Sequence, residues 1–210
     1  MSKHTDITFI LDRSGSMESI KEATIIGFNS FLKEHKSANS ETKITLIQFD
    51  NEYDMVYDGI NIKEVNYLNN KTYMPRGTTA LLDAIGKTIN HNKRKFKEMP
   101  DNEKPKNVIV VVLTDGYENN SRLFSRKEIF MKINKRRNKD NWVFLFIGAN
   151  QDAIIEGTKI GISDDLCLSI RASKSGIKHA FDSVVKQSKY MLKDGYVPKF
   201  SQRDRDNQLN

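Results

Sequence analysis

Cysteine is nearly absent from this 210-residue chain, in which Cys167 stands alone. A single cysteine cannot form an intramolecular disulfide and argues against a structural zinc site. No apolar run approaches the roughly 20 residues that a membrane-spanning helix needs. Residues 1–6 lead almost directly into a predicted strand, which leaves no room for a secretory signal. These absences predict a cytoplasmic protein without a membrane segment.

Motifs for nucleotide binding and nucleophilic catalysis are missing as well. No Gly-x-x-x-x-Gly-Lys-Ser/Thr or Gly-x-Gly-x-x-Gly pattern follows a predicted strand. No Ser/His/Asp or Cys/His set is placed for nucleophilic attack. The histidines, which are His4, His35, His91 and His179, have no spacing suited to a transition metal. We therefore predict neither a phosphate-binding loop nor a catalytic triad.

The composition is that of an ordinary soluble globular chain, with 38% hydrophobic and 29% charged residues. The length is sufficient for one domain with a full core. We predict a single domain over residues 1–194. In residues 195–210, Pro198, Arg203 and Arg205 follow no periodicity, so a flexible C-terminal tail is expected.

The formal net charge is +7, and much of the excess lies in two basic runs at residues 93–97 and 132–139. A positive balance favours an acidic partner. Basic runs at helix ends are usually solvated faces, so nucleic acid is the less favoured partner. No RNA-binding aromatic signature, helix-turn-helix pattern or zinc knuckle accompanies the runs. An adaptor that binds nucleic acid through them stays open as an alternative.

Apolar strands alternate with amphipathic helices along the chain, which predicts a three-layer α/β fold. Residues 108–113 and 142–147 have no polar alternation, which is typical of strands buried on both faces of a parallel sheet. Strands are predicted at 7–11, 43–49, 53–57, 108–113, 142–147 and 166–170. Helices are predicted at 20–32, from Thr78 or Thr79 to Ile89, from Ser125, at 152–159 and at 177–192.

Two details of this assignment depend on local patterns. Residues 92–106 are polar and basic and contain two prolines, so a surface connection is predicted there. Ser125 and Glu128 fit a capping box at the start of a helix. Ile129, Phe130 and Ile133 are expected to form the buried stripe of that helix.

Residues 7–17 combine an apolar strand with a set of oxygen ligands at its end. Asp12, Ser14 and Ser16 follow the strand, and Gly15 lets the loop fold tightly enough for the three side chains to converge. A hard divalent cation prefers such oxygen ligands, with no soft ligand among them. The stretch therefore predicts part of a metal site.

The pattern Asp-x-Ser-x-Ser resembles the metal-ion-dependent adhesion site (MIDAS) of von Willebrand factor A-type domains. Residues 77–81, Gly-Thr-Thr-Ala-Leu, are similar to the family's loop whose last threonine, here Thr79, ligates the metal. Residues 113–116, Leu-Thr-Asp-Gly, are similar to the strand end whose aspartate, here Asp115, completes the site. The resemblance covers residues 6–192. The sequence around these motifs is similar to that of the compact stand-alone members found in bacteria and their phages.

The resemblance implies a doubly wound, mostly parallel six-stranded sheet of Rossmann-like type, with strand order 3-2-1-4-5-6 and strand 3 antiparallel. In that order Asp12 and Asp115 end neighbouring strands where the winding reverses, and ligands bind at such switch points. Two ionised carboxylates in one crevice need a counter-charge. A bound cation would supply it.

The function that the resemblance implies is recognition through a metal bridge, without enzymatic turnover. The metal ligands would be Asp12, Ser14, Ser16, Thr79 and Asp115. Mg²⁺ is the expected ion, with Mn²⁺ or Ca²⁺ as alternatives, and one coordination position would stay open for a carboxylate of a partner protein. The identity of that partner and the oligomeric state are left open.

A phosphate-transferring enzyme is the other alternative. Phosphatases of the haloacid-dehalogenase type place an aspartate nucleophile after the first strand of a parallel sheet, in an Asp-x-Asp-x-Thr pattern. Here Ser14 occupies the place of the second aspartate, so the leaving oxygen lacks its obvious proton donor.

For several residues near the predicted site, the sequence allows more than one role. Arg13 either attracts an acidic partner or points into solvent. Glu118 and Asn119 either support the metal ligands or cap the following segment. Residues 150–152 follow the fifth strand on the same rim and could border the binding surface.

Overall fold

Six strands form one sheet with helices on both faces. The computed structural model describes residues 4–37, 41–149 and 152–206. The strands are β1 (Thr5–Asp12), β2 (Thr42–Phe49), β3 (Tyr53–Asn61), β4 (Asn107–Thr114), β5 (Val143–Ala149) and β6 (Cys167–Ile170). The α-helices are α1 (Lys21–Lys36), α2 (Leu81–Glu98), α3 (Arg126–Asp140), α4 (Ala153–Lys159), α5 (Lys174–Asp194) and α6 (Gln202–Asp206). Short 3-10 helices lie at Gly15–Ile20, Ile62–Glu64 and Asp164–Leu166.

The strand order is β3-β2-β1-β4-β5-β6, and the predicted topology is confirmed. β1 runs parallel to both β2 and β4, whereas β3 pairs antiparallel with β2. Asp12 pairs with Phe49 of β2, and Leu11 pairs with Leu113 of β4. The residues that follow β1 and β4 therefore emerge side by side at the carboxyl edge of the sheet, where the winding reverses.

Side chains of β1 alternate between two hydrophobic cores. Phe9 belongs to the core that α1 and α5 cover, and its ring lies 5.3 Å from Phe28 and 4.8 Å from Phe31 of α1. Ile10 belongs to the core on the opposite face, beneath α2 and α3. Burial on both faces holds the central strand rigidly, so its carboxyl end is a fixed platform for the residues beyond it.

The surface connection predicted for residues 92–106 is wrong over its first half, because α2 continues to Glu98. Asn92 and Phe96 are buried on the inner face of this helix. Asn92 Nδ2 donates to Thr8 Oγ1 at 2.9 Å, and the Phe96 ring lies 5.7 Å from the ring of Trp142. Lys93 and Arg94 between them are exposed, and the density of basic residues hides the amphipathic spacing in the sequence.

Other predicted boundaries shift by a few residues. β3 extends beyond the predicted end to Asn61, and α2 begins at Leu81 rather than at a threonine. β5 continues through Gly148 to Ala149. The capping box of α3 is confirmed, with Ser125 and Glu128 bonded reciprocally. Phe130 is 44% exposed and does not belong to the buried stripe.

The chain after Gly195 makes contacts with the rest of the protein. Phe200 is buried, and its backbone N–H donates to the carbonyl of Asp165 at 2.9 Å. The domain boundary after residue 194 and the flexibility of the tail stay predictions. None of the helices in the described ranges combines the length and apolarity needed to cross a membrane.

Candidate metal centre

Three loops meet at the carboxyl edge of the sheet. Loop 1 (residues 13–20) follows β1, loop 2 (residues 74–80) precedes α2, and loop 3 (residues 115–124) follows β4. Loops 1 and 2 are tied by backbone hydrogen bonds, from Gly15 N to Gly77 O at 3.1 Å and from Arg76 N to Arg13 O at 2.7 Å. The spacing between the hydroxyl groups of the two loops is thus set by the main chain.

The hydroxyl groups of the three predicted ligands, Ser14, Ser16 and Thr79, lie close to Gly116 of loop 3. A Cβ atom at Gly116 would lie 2.9 Å from Thr79 Oγ1, 3.5 Å from Ser16 Oγ and 3.8 Å from Ser14 Oγ. Any side chain at this position would crowd the hydroxyls. Glycine leaves that space open, and this role was not evident from the sequence.

The two predicted carboxylates join the same network. Asp12 is fully buried, and its two oxygens accept from Ser14 N at 2.6 Å and from Thr114 Oγ1 at 2.5 Å. Asp115 Oδ1 accepts from Ser16 Oγ at 2.6 Å, and the Ser14 and Ser16 hydroxyl oxygens are 3.2 Å apart. The five residues singled out by the motif therefore lie together, although 103 positions separate Asp12 from Asp115.

Burial makes this network electrostatically unfavourable for two anions. Burial, with a smaller contribution from the nearby charge of Asp115, raises the pKa of Asp12 to about 6, against hydrogen bonds that lower it. Burial also raises the pKa of Asp115. Among the described residues, no lysine, arginine or histidine forms an ion pair with either carboxylate. A cation would supply the missing counter-charge.

Tyr73 supports Asp12 from below. Its hydroxyl donates to the backbone carbonyl of Asp12 at 2.5 Å, and the side chain is fully buried. Burial, with the charges of Asp12 and Asp115, raises the pKa of Tyr73 well above its usual value. The phenol therefore stays protonated and keeps donating to the strand end at any physiological pH.

Asn119 and Glu118 have separate tasks in loop 3. Asn119 Oδ1 accepts from Thr79 N at 3.0 Å, so this side chain positions the threonine, as one of the two readings expected. Glu118 Oε2 accepts from Leu82 N at 2.9 Å, and its Oε1 accepts from Ser121 N at 2.7 Å. Glu118 thus caps the first turn of α2 as well as its own turn.

Sequence reasoning missed Asp83, which fastens loop 3 to α2. Its carboxylate accepts from the backbone N–H groups of Arg122, Leu123 and Phe124 at 3.0, 2.9 and 3.0 Å. An acid in the first turn of a helix is a common stabilising feature. That general signal would have marked the position, but nothing in the sequence indicates which loop it binds.

Arg13 has a different role from the two predicted ones. It is 8% exposed, and its Nε atom lies 3.0 Å from Oδ2 of the buried Asp50, while Nη1 lies 2.6 Å from Asp54. Arg13 therefore neither points into solvent nor stands free for a partner. It neutralises a carboxylate that follows β2.

Asp152 caps α4 by accepting from Ile154 N and Ile155 N, both at 3.0 Å. Asn150 and Gln151, which were expected beside it on the rim, lie outside the described residues. A role of this segment in binding stays a prediction.

The donor set consists of two carboxylates and three hydroxyls, with no nitrogen or sulfur atom. Such a set fits a hard divalent cation and is poorly suited to a soft metal. Within the described ranges, no group of three or more His, Cys, Asp and Glu side chains gathers elsewhere to form a rival metal site.

Comparisons with known proteins identify the family and the fold. The family model of the von Willebrand factor type A domain matches residues 6–188. The comparison with curated proteins found no match. Solved structures with a similar fold include proximal thread matrix protein 1 of the mussel byssus, whose structure is described as having a zinc-occupied MIDAS motif. That likeness has a TM-score of 0.60 at 16% identity and covers 88% of this chain and 48% of the mussel chain.

Two further structures show the same fold. The ArnB paralog VWA2 from Sulfolobus acidocaldarius matches with a TM-score of 0.55 at 17% identity over 89% of this chain and 45% of that one. The pilus adhesin SpaC from Lactobacillus rhamnosus GG matches with a TM-score of 0.64 at 16% identity over 87% of this chain and 29% of the adhesin. The chain spans less than half the length of each of these proteins.

Proposed function

Because the chain belongs to the von Willebrand factor type A family, we propose that it is an interaction module that binds a partner protein through a divalent cation. The ion would be held by the side chains of Asp12, Ser14, Ser16, Thr79 and Asp115. The observation that carries the proposal is the gathering of three hydroxyls beside Gly116, joined by hydrogen bonds to two carboxylates that have no cationic partner among the described residues.

The other residues of the site hold these ligands in place. Thr114 and the backbone of Ser14 orient the Asp12 carboxylate, and Asn119 fixes the backbone at Thr79. Gly116 leaves the space between the hydroxyls open. When bound, the cation supplies positive charge and a coordination position for an outside carboxylate.

Mg²⁺ is the ion we propose, with Mn²⁺ or Ca²⁺ as alternatives, because every donor is an oxygen atom. The zinc recorded at the MIDAS of the mussel protein supports a divalent ion at a site of this kind. Ser16 is exposed and Asp115 is only partly covered, so a carboxylate of a protein partner has access from solvent. That acidic group is the part of the partner we propose to be recognised.

Metal binding is tested on the chain stripped with EDTA. Titration calorimetry and thermal unfolding are followed with Mg²⁺, Mn²⁺, Ca²⁺ and Zn²⁺ in turn. A ligand at about 100 times its dissociation constant stabilises the native state by about 2.7 kcal/mol. For the wild type we expect a saturable heat of binding and an increase in stability of this size, and neither for Asp115→Asn. Glu103→Gln, an exposed acid at the opposite end of the sheet, is the matched control.

Partner binding is tested separately, with peptides that carry a single Asp or Glu and with their Asn or Gln counterparts as probes. The proposal expects acidic peptides to be retained in Mg²⁺ and released in EDTA. Retention that is unaffected by EDTA, or equal for the amide peptides, would contradict the metal bridge. Hydrolysis of p-nitrophenyl phosphate that requires Mg²⁺ and is lost in Asp12→Asn would instead favour the phosphatase alternative.

The cytoplasmic location and the bacterial or phage type stay predictions. The mussel byssus protein and the pilus adhesin have the same fold, so the fold alone indicates neither the location nor the source of this chain.

A further inference from the structure

The two basic runs of the sequence come together at the amino edge of the sheet. The C-terminal half of α2, the segment before β4 and the last turn of α3 enclose a cavity of about 430 Å³, here called the basic cleft. Its charged lining residues are Lys93, Lys97, Lys104, Lys106, Arg136 and Asp140. Five cations thus share one concavity with a single acid.

Among the described residues, two of these cations have a carboxylate partner. Arg136 pairs with Asp140 and lies over the ring of Trp142, and Lys104 Nζ lies 2.6 Å from Asp101. For the remaining lysines, the described part of the chain offers no carboxylate within ion-pair distance. These uncompensated lysines are Lys93, Lys97 and Lys106, and all three are exposed.

A second concavity of about 350 Å³ extends the positive surface along α3. It shares Lys93 and Arg136 with the basic cleft and adds Lys132 and Lys135. Its one acidic lining residue, Glu128, is engaged in the capping box with Ser125. The positive surface therefore continues from the basic cleft into the groove between α2 and α3.

The basic cleft lies far from the metal centre. It is lined by Val108 at the start of β4, whereas Asp115 follows the end of that strand. A strand of this length spans roughly 25 Å. A ligand in the basic cleft would therefore leave the carboxyl edge free for a partner.

We propose that the basic cleft and the adjoining groove bind the phosphate backbone of double-stranded nucleic acid. Exposed lysines without carboxylate partners in the chain can pair with the anionic groups of a ligand. Duplex DNA offers a dense and regular array of such groups, with one charge per about 1.7 Å of axis. The aromatic rings at the cleft, Phe96 and Trp142, are buried against each other and offer no surface for base stacking. Binding is therefore directed at phosphates, without sequence preference, and favours duplex over single strand.

The test measures fluorescence anisotropy of a labelled duplex of about 20 base pairs, titrated with the full chain at several salt concentrations. We expect a dissociation constant between about 1 and 100 µM near physiological salt, with affinity that falls steeply as salt increases. The triple variant Lys93→Gln/Lys97→Gln/Lys106→Gln should lose at least about tenfold in affinity and flatten the salt slope by about 2 to 3.

A second triple variant controls for the change in net charge. Lys178, Lys186 and Lys189 lie on α5, and each pairs with a carboxylate of the chain. Changing all three to glutamine removes the same charge, and we expect duplex affinity to stay within about twofold of the wild type, since these cations are already neutralised. Asp115→Asn should bind the duplex as the wild type does, which separates this proposal from the proposed metal function.

Three results would overturn the proposal. The first is no binding below about 100 µM at about 50 mM salt. The second is an equal loss of affinity in the two triple variants, which would indicate a general effect of net charge. The third is displacement of the duplex by polyglutamate or by phosphatidylserine vesicles at equal charge concentration, which would assign the surface to an acidic protein or a membrane.

Discussion

Asp12 is the last residue of β1 and Asp50 follows the neighbouring strand β2; both are fully buried, but only Asp50 has cationic partners among the described residues. Asp50 has Arg13 at 3.0 Å and Arg76 at 2.9 Å from one carboxylate oxygen. Asp12 has hydroxyl and amide donors, and the charge of a second carboxylate, Asp115, raises its pKa. A buried carboxylate with its own cation needs no further counter-charge, whereas the proposed function has an external cation compensate the pair that lacks one.

The contrast has an energetic basis. Removing one partner of a buried ion pair leaves the other charge unneutralised, and this typically costs about 3–5 kcal/mol. A buried carboxylate without a cationic partner already carries a desolvation penalty in the folded protein. Neutralising Asp50 and neutralising Asp12 should therefore change the stability of the metal-free protein in opposite directions.

The largest effect is expected for Asp50→Asn. We expect the free energy of unfolding in EDTA to fall by about 3 kcal/mol, because Arg13 remains buried after losing the buried partner at its Nε atom and keeps the more exposed Asp54 and Glu52. Asn keeps an acceptor for Glu52 N, so the turn itself is preserved. Urea denaturation followed by circular dichroism measures the change. The matched variant Asp12→Asn should be neutral or stabilising, and an equal loss in both would abolish the distinction.

A smaller effect is expected from pH, again in EDTA. The folded pKa of Asp12 is raised to about 6, above its ordinary value of 3.8, mainly by burial. A raised carboxyl pKa contributes stability that is fully present below about pH 3.8 and is lost as the pH rises through about 6. As the pH rises from 4 to 7, the unfolding free energy of the wild type should therefore fall, relative to that of Asp12→Asn, by at most about 3 kcal/mol.

Urea denaturation of both proteins across this pH range provides the measurement. Comparing the two cancels titrating groups that do not interact with Asp12, such as Asp6, whose pKa is also raised by burial. A difference that stays constant with pH would mean that ionisation of Asp12 does not destabilise the folded protein. The contrast with Asp50 would then lose its electrostatic basis.

The motif residues could be found from the sequence because their spacing is local. Asp12, Ser14 and Ser16 follow one strand, and the residues around Thr79 and Asp115 are recognisable on their own. The strand order followed from the family resemblance, and the structure confirms it. The periodicity of the apolar residues was enough to predict most elements.

Long-range polar partners could not be predicted in the same way. The pairing of Arg13 with Asp50 joins residues 37 positions apart, and Asn92 reaches Thr8 across 84 positions. The sequence predicts that a polar residue is exposed, even where a long-range hydrogen bond buries it. For this reason the end of α2 was predicted to be a surface connection. Likewise, Lys93 and Lys106 share one cleft only through the packing of α2 against the sheet.

The smallest effect is expected for Arg76→Gln, which tests how the two arginines divide the neutralisation of Asp50. Arg76 is 53% exposed, whereas Arg13 is nearly buried, so solvent screens most of the interaction between Arg76 and Asp50. We expect a loss in the free energy of unfolding that is much smaller than that of Asp50→Asn. The backbone hydrogen bond from Arg76 N to Arg13 O does not depend on the side chain, so loop 2 should keep its position. Mg²⁺ affinity measured by calorimetry should then match the wild type. A clear drop in that affinity would mean that the charges around Asp50 and the metal centre act together, and that the two carboxylates are not independent.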